Sequence, residues 1–180
     1  MTYTSLPFEA VSADVEEMKT GAPKALVMEN ARRKARAAAE TYPGRMVLSA
    51  DTVVYLNGRV LGKPRDAQEA RDMLRCLSGN IHTVYTGVCV IAEDGREFVD
   101  ADASEVEFVS LSDEAISWYI ATQEPMDKAG AYAVQGRAGM FVRRIAGSFS
   151  NVIYTFFSSM QTFIINLNIN INYTAFLKRF

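Results

Sequence analysis

The segment MVLSADTVVYL, residues 46–56, constrains this chain more than any other. It is nearly continuous in apolar and β-branched residues, the composition of a strand buried on both faces. Asn57-Gly58 follows at once, a dipeptide suited to a tight hairpin turn, and Arg59, Val60 and Leu61 supply the returning arm. A hairpin among otherwise helical and strand-like patterns predicts an α/β protein with a mixed β-sheet, not a purely parallel one. Within the run, Asp51 is the anomaly. Its neighbours predict burial, and a carboxylate taken out of water needs partners. A backbone or arginine partner would make it structural. Holding Mg²⁺ or Mn²⁺, or taking a proton from water, would make it functional, and the local pattern alone favours neither.

The rest of the chain reads as alternating elements. Leu6 to Val15 is strand-like and leads to the acidic pair Glu16 and Glu17. A polar loop with Thr20, Gly21 and Pro23 opens a helix to about Tyr42, with Met28, Ala31, Ala35 and Ala38 on one stripe and Pro43-Gly44 as its stop. Asp66 caps a second helix with Glu69 three residues on. Ala70, Met73, Leu74 and Leu77 share its apolar face, and Gly79 ends it. Ile81–Ile91 and Phe98–Val109 read as strands joined through Glu93-Asp94-Gly95. Ser112 caps a third helix whose first turn carries Asp113 and Glu114. Short strands are expected near Ala131–Val134 and Met140–Ile145. Residues 1–153 thus form one body, and residues 154–180 a tail of different composition. The tail's run INLNININY alternates strictly, which favours a β conformation.

Bulk properties exclude several classes of function. A length of 180 residues suits one domain, or a body with a small appendage. A formal net charge of -2 gives no reason to expect nucleic-acid or membrane-surface binding, so an anionic ligand would need a local basic cluster. Two cysteines, Cys76 and Cys89, form neither a metal spacing nor a disulfide framework, which fits a reducing cytosol. The start lacks the basic and apolar regions of a secretory signal, and no stretch reaches the ~18 apolar residues of a membrane span. A cytoplasmic location is expected.

Other residues that bear on chemistry divide between plain and functional readings. Lys63 ends the second arm of the hairpin whose first arm carries Asp51, so pairing would bring a phosphate-binding cation near the acid. A solvated turn lysine is the more frequent case. Lys34 sits beside the apolar stripe of its helix, where most lysines only cover the edge of a core. Glu16 and Glu17 offer hard oxygen ligands or simply a solvated pair. His82, the single histidine, has no Ser or Cys partner by spacing and reads as packed or hydrogen-bonded. The segment DKAGAYAVQG, with Asp127, Lys128 and Gln135, suits close approach of backbone to a ligand, as would an ordinary loop corner.

The order of these features is more specific than any of them singly. LSADTVVYLNGRVLGKP, EARDMLRCLSGNIHTVYTGV, EPMDKAGAYAVQG and GSFSNV, with LPFEAVSADVEE and the helix MENARRKARAAA, closely resemble the Maf family of nucleotide pyrophosphatases over about residues 6–153. That resemblance implies a Maf/Ham1 (inosine triphosphatase-like) fold with a cleft between two lobes. It also implies cleavage of nucleoside triphosphates between the α and β phosphates with a divalent metal, Mg²⁺ or Mn²⁺. Carried over by motif, Asp51 matches the general base or metal-associated acid, and Glu17 the acidic position near the metal. Lys34 and Lys63 match phosphate contacts, while Thr52 and Gln135 match positions linked to base choice. Asp-Thr with Tyr-x-x-Gln-Gly resembles the branch acting on dTTP and UTP, and the family implies a homodimer. The alternatives are a catalytically impaired relative that binds nucleotide or a protein partner, and a purine or 7-methyl-GTP pyrophosphatase.

Two stretches depart from the family pattern. Its opening turn S-x-S-P-R-R, with a serine and an arginine for phosphate, has no counterpart before Leu6, and SNVIYTFFSSM replaces a Gly-Leu-Pro turn and closing helix. These departures lead to the expectation of a truncated product whose tail is read out of frame, with an unpaired strand edge in the sheet. Loss of one arginine contact in a transition state costs on the order of 2–4 kcal/mol.

Overall fold

The computed structural model describes residues 9–153. The beginning of the strand expected from Leu6 and the whole tail, residues 154–180, lie outside the described residues. The α/β expectation holds. Helix α1 (Pro23–Thr41) is followed by strands β1 (Val47–Leu56) and β2 (Arg59–Leu61), helix α2 (Ala67–Leu77), strands β3 (Ile81–Ile91) and β4 (Glu97–Phe108), helix α3 (Asp113–Ala121), strand β5 (Val142–Ala146) and a short helix α4 (Phe149–Ile153).

The strands form one five-stranded sheet in the order β2-β1-β3-β4-β5. Each described pairing is antiparallel, so the hairpin component of the expected mixed sheet is the one the structure displays. The hairpin dipeptide performs as read: Asn57 and Gly58 both take positive φ, 49° and 80°, the left-handed pair that matches strand twist. β1 is less buried than its composition predicts. Its residues from Val47 to Thr52 are half-buried, and only Val53, Val54 and Leu56 are fully covered. The reason is topological. β2 pairs only with Val54–Leu56, so on that side the rest of β1 has no ladder partner among the described residues.

Alternation along β3 divides the sheet into two faces. Tyr85, Gly87 and Cys89 look toward α1, where Val27, Ala31 and Ala35 pack. His82, Val84 and Thr86 look the other way. On that second face Val84, Val106 and Phe108 join Leu74 and Leu77 of α2 and Ile116, Tyr119 and Ile120 of α3 in the main core. Both helices carry the caps expected of them: Asp66 accepts from the Glu69 amide at 2.8 Å, and Ser112 from the Ala115 amide at 3.2 Å. Each such cap is worth about 1 kcal/mol. His82 is packed, as expected: its Nε2 lies 2.7 Å from the Tyr132 hydroxyl, and its ring meets Phe108 and Tyr132 edge-on.

Two expected strands are absent among the described residues. Glu9 to Val15 runs without ladder pairing, and the segment it belongs to spends its backbone groups on α1 side chains: Met18 bonds Asn30, and the Glu16 carbonyl accepts from Arg33. Ala131–Val134 is not a strand either. Positive φ at Gly130 and Ala131, 67° and 59°, breaks the extended path, and the region folds as 3₁₀ turns at Glu124–Asp127, Ala129–Ala131 and Arg137–Phe141. Glu124 gathers these turns, accepting from the Tyr119 hydroxyl and the Arg137 amide, both at 2.9 Å. The Gly130 amide ties them to the hairpin through the Gly62 carbonyl at 2.9 Å. Met140–Ile145 is a strand in its second half only, as β5.

Candidate active site

Asp51 stands opposite Gly87 in the β1–β3 ladder, on the face covered by α1. Glycine is required there. A Cβ on residue 87 would come within 2.4 Å of the Val27 carbonyl, so α1 rests directly on the sheet at this point. Ser49, two residues before Asp51 and on the same face, donates a hydrogen bond to the Ala31 carbonyl. Asn30 and Lys34, one turn apart on α1, are thereby held above Asp51.

The contacts are direct. Lys34 Nζ lies 2.7 Å from Asp51 Oδ1 and 2.7 Å from Glu17 Oε1, so carboxylates from two distant stretches of chain share one ammonium. Asn30 Nδ2 donates to Asp51 Oδ2 at 3.0 Å. The Asp51 side chain keeps 10% of its surface exposed, enough to remain reachable from solvent. Burial works against the charge of Lys34, but its hydrogen bonds to Asp51 and Glu17 outweigh that and hold its pKa above the ordinary lysine value. Lys34 is therefore a charged group shared by two carboxylates, not a snorkelling edge residue. A cavity of about 210 Å³ adjoins it, lined by Val11, Ala13, Ala38 and residues 47–50 of β1.

The remaining sequence candidates lie apart from this cluster. Thr52 points to the opposite face of the sheet, where its hydroxyl meets Thr86 Oγ1 at 2.9 Å. Thr86 in turn donates to the carbonyl of Asn151, the buried residue of the GSFSNV motif, at 3.3 Å. Asn151 Nδ2 donates to the Val84 carbonyl and to Ser104 Oγ at 3.2 and 3.1 Å, fastening α4 to β3 and β4. Lys63 is exposed just beyond β2, and its charge reaches Asp127, whose carboxyl is held below the usual range chiefly by Lys128. Gln135 is exposed on the turn before the last 3₁₀ segment. The structure thus brings Glu17, Lys34 and Asp51 together and leaves Thr52, Lys63 and Gln135 outside direct contact with them.

Asn30 escaped the sequence reading. An asparagine in mid-helix is an unfavourable choice that competes with backbone hydrogen bonding, and its position one turn before Lys34 was the available signal. At 2% exposure its amide is fully engaged.

Known proteins resemble this chain over most of its length. A protein from Anaeromyxobacter dehalogenans named dTTP/UTP pyrophosphatase is 54% identical over 134 residues, covering 73% of this chain and 67% of the relative. Proteins of the same name from Thermococcus gammatolerans and Bacillus cytotoxicus are 50% and 44% identical, covering 81% and 85% of this chain and 78% and 81% of their own lengths. Among solved structures, a nucleoside-triphosphatase / dITP/XTP pyrophosphatase from Mycobacterium abscessus overlaps at a TM-score of 0.34 and 12% identity, over 57% of this chain and 55% of that one. That overlap is too slight to bear on the fold. No helix among the described residues is long and apolar enough to cross a membrane. The model of the Maf-like protein family matches residues 1–153, and the chain belongs to that family.

Proposed function

We propose that this chain hydrolyses dTTP and UTP to the nucleoside monophosphate and pyrophosphate, with Asp51 accepting a proton from the attacking water. The observation that carries the reading is the Glu17–Lys34–Asp51 cluster, formed by motif residues in a chain whose relatives are named for that activity. Water oxygen bonds to the α phosphorus, the bridging oxygen to the β phosphorus leaves with pyrophosphate, and the water proton passes to Asp51. Asp51 has the capacity: a carboxylate offers about four lone-pair sites, and Lys34 and Asn30 engage one on each oxygen.

Donor chemistry at the cluster fits a divalent cation. Glu17 and Asp51 are hard oxygen donors converging on a position already occupied by positive charge. No group of three or more ligating side chains exists among the described residues, so phosphate oxygens and water would complete the shell, as Mg²⁺ prefers. Such an ion would offset triphosphate charge and polarise the α phosphorus. Lys34, turning from one carboxylate to a phosphate oxygen, and Lys63 would balance the rest of the charge. Gln135 would bear on base selection, through hydrogen bonds that one base edge satisfies and others leave unpaired, whereas Thr52, turned to the far face of the sheet, would act on it only by setting β1 against β3.

The test is product analysis with dTTP and UTP in Mg²⁺, beside the Asp51→Asn variant. Equal yields of pyrophosphate and monophosphate are expected, with a turnover loss of roughly 10²–10⁴ in the variant. Inorganic phosphate with a diphosphate product would reject the cleavage position, and an Asp51→Asn enzyme of wild-type rate would remove the proposed base.

A further inference from the structure

We infer that Asn30 is a positioning residue that sets both acids of the site through one side-chain amide. The inference rests on the functional reading above and extends it to a residue outside the motif roles. Asn30 Oδ1 accepts the Met18 amide at 2.8 Å, and Nδ2 donates to the Met18 carbonyl at 3.1 Å. The same Nδ2 spends its second proton on Asp51 Oδ2 at 3.0 Å. Both hydrogens of the amide are therefore used, and a single planar group ties the strand carboxylate to the backbone next to Glu17.

The arrangement has a reason in the fold. Glu17 lies on a segment with no ladder pairing and no helix of its own, so nothing in regular secondary structure fixes it. Three neighbours on α1 do so instead. Arg33 holds the Glu16 carbonyl at 3.2 Å, Lys34 holds the Glu17 carboxylate at 2.7 Å, and Asn30 holds both backbone groups of Met18. Of these three, Asn30 and Lys34 also touch Asp51, and Lys34 must be free to meet phosphate. Asn30 has no such duty. It is 2% exposed and uncharged, so it keeps Asp51 and the Glu17 segment in one geometry while Lys34 moves. A side chain locked this way preorganises the reacting groups, where displacement by about 1 Å lowers rate by roughly 10²-fold.

The experiment compares kcat and KM for dTTP in the wild-type chain, Asn30→Ala, Asn30→Asp and Arg33→Ala. Asn30→Ala is expected to lower kcat by roughly 10–100-fold with KM within about threefold, the mark of lost transition-state alignment. Asn30→Asp keeps the size and the acceptor for Met18 but sets a carboxylate against Asp51, and its kcat should fall further still. Arg33→Ala loosens the same segment without touching Asp51, and should lose less than fivefold in kcat. Equal losses in Arg33→Ala and Asn30→Ala, or Asn30→Asp more active than Asn30→Ala, would overturn the role. If Asn30→Ala does not fold, the isosteric Asn30→Asp decides. If neither folds, the Asn30 side-chain amide resonances of the wild-type chain must shift on Asp51→Asn, and an unmoved pair overturns the contact. The two readings fail separately. A wild-type chain that releases no pyrophosphate removes the activity itself, whereas an active wild type with an unimpaired Asn30→Ala removes only Asn30.

Discussion

Gly87→Ala is the smallest change that should damage both stability and activity, because it acts where α1 and the sheet touch. The added methyl would lie 2.4 Å from the Val27 carbonyl carbon and oxygen and 2.7 Å from the Met28 amide nitrogen. Carbon contacts settle near 3.5–4.0 Å, so helix and strand must separate by about 1 Å. Backbone cannot rotate away as a side-chain tip can. Overpacking of this kind costs about 1–3 kcal/mol, and at roughly 2–4 °C per kcal/mol the melting midpoint should fall by about 2–12 °C. Activity should fall further than stability, since the same shift lifts Asn30 and Lys34 from Asp51, the ladder partner of Gly87. A loss of about 10²-fold in kcat is expected at a temperature where the variant is still folded. Urea unfolding and pyrophosphate release measure the two effects. Gly62→Ala, where a methyl meets open space, controls for the loss of glycine itself. A Gly87→Ala protein as stable and active as that control would refute the claim that helix–sheet contact sets the site.

Further expectations concern single groups. Lys34→Met leaves Asp51 and Glu17 without their shared cation, and should lower kcat/KM for dTTP by about 10²-fold while costing roughly 1–3 kcal/mol of stability; an unchanged kcat/KM would exclude Lys34 as a phosphate contact. Burial pushes His82 down to about 4 from an ordinary 6.5, so the folded protein resists its protonation. The stability it contributes is complete above pH 6.5 and is lost as pH falls toward 4, about 3 kcal/mol in all, and unfolding curves of wild type and His82→Gln should converge over that window. Asp66→Ala should cost about 1 kcal/mol in urea unfolding and leave turnover intact, because its bond to the Glu69 amide serves only the start of α2.

The parts of this fold legible in sequence were those with local causes. Asn57-Gly58 specified its own turn conformation, and Asp66 and Ser112 sat one residue before the helices they cap. Misreadings came where long-range partners decide. The alternating residues around Ala131–Val134 resemble a strand, yet the left-handed backbone at Gly130 and Ala131 and the bonds of Glu124 hold them as an irregular link between 3₁₀ turns. Leu6–Val15 has strand composition, but its described part, from Glu9, forms no ladder, and the chain just after it is held by α1 side chains instead. At the site, Asp51 stood out because a lone carboxylate among β-branched residues demands an explanation. Lys34 was marked by the family motif and its place beside the helix stripe but without its partner, and Asn30 was not marked at all, since nothing within a helix announces a partner 17 or 21 residues away.

The alternation between Asp51 and Thr52 makes β1 a binary element. One faces Lys34 beneath α1, and the other bonds Thr86 on the far side of the sheet. Slippage of β1 by a single residue against β3 would exchange the two sides and put Ala50 or Thr52 where the carboxylate belongs, with no partly competent intermediate. The Asn57-Gly58 turn and the apolar faces of β1 therefore protect the chemistry as well as the fold, because the register they fix decides which side of the sheet receives the acid.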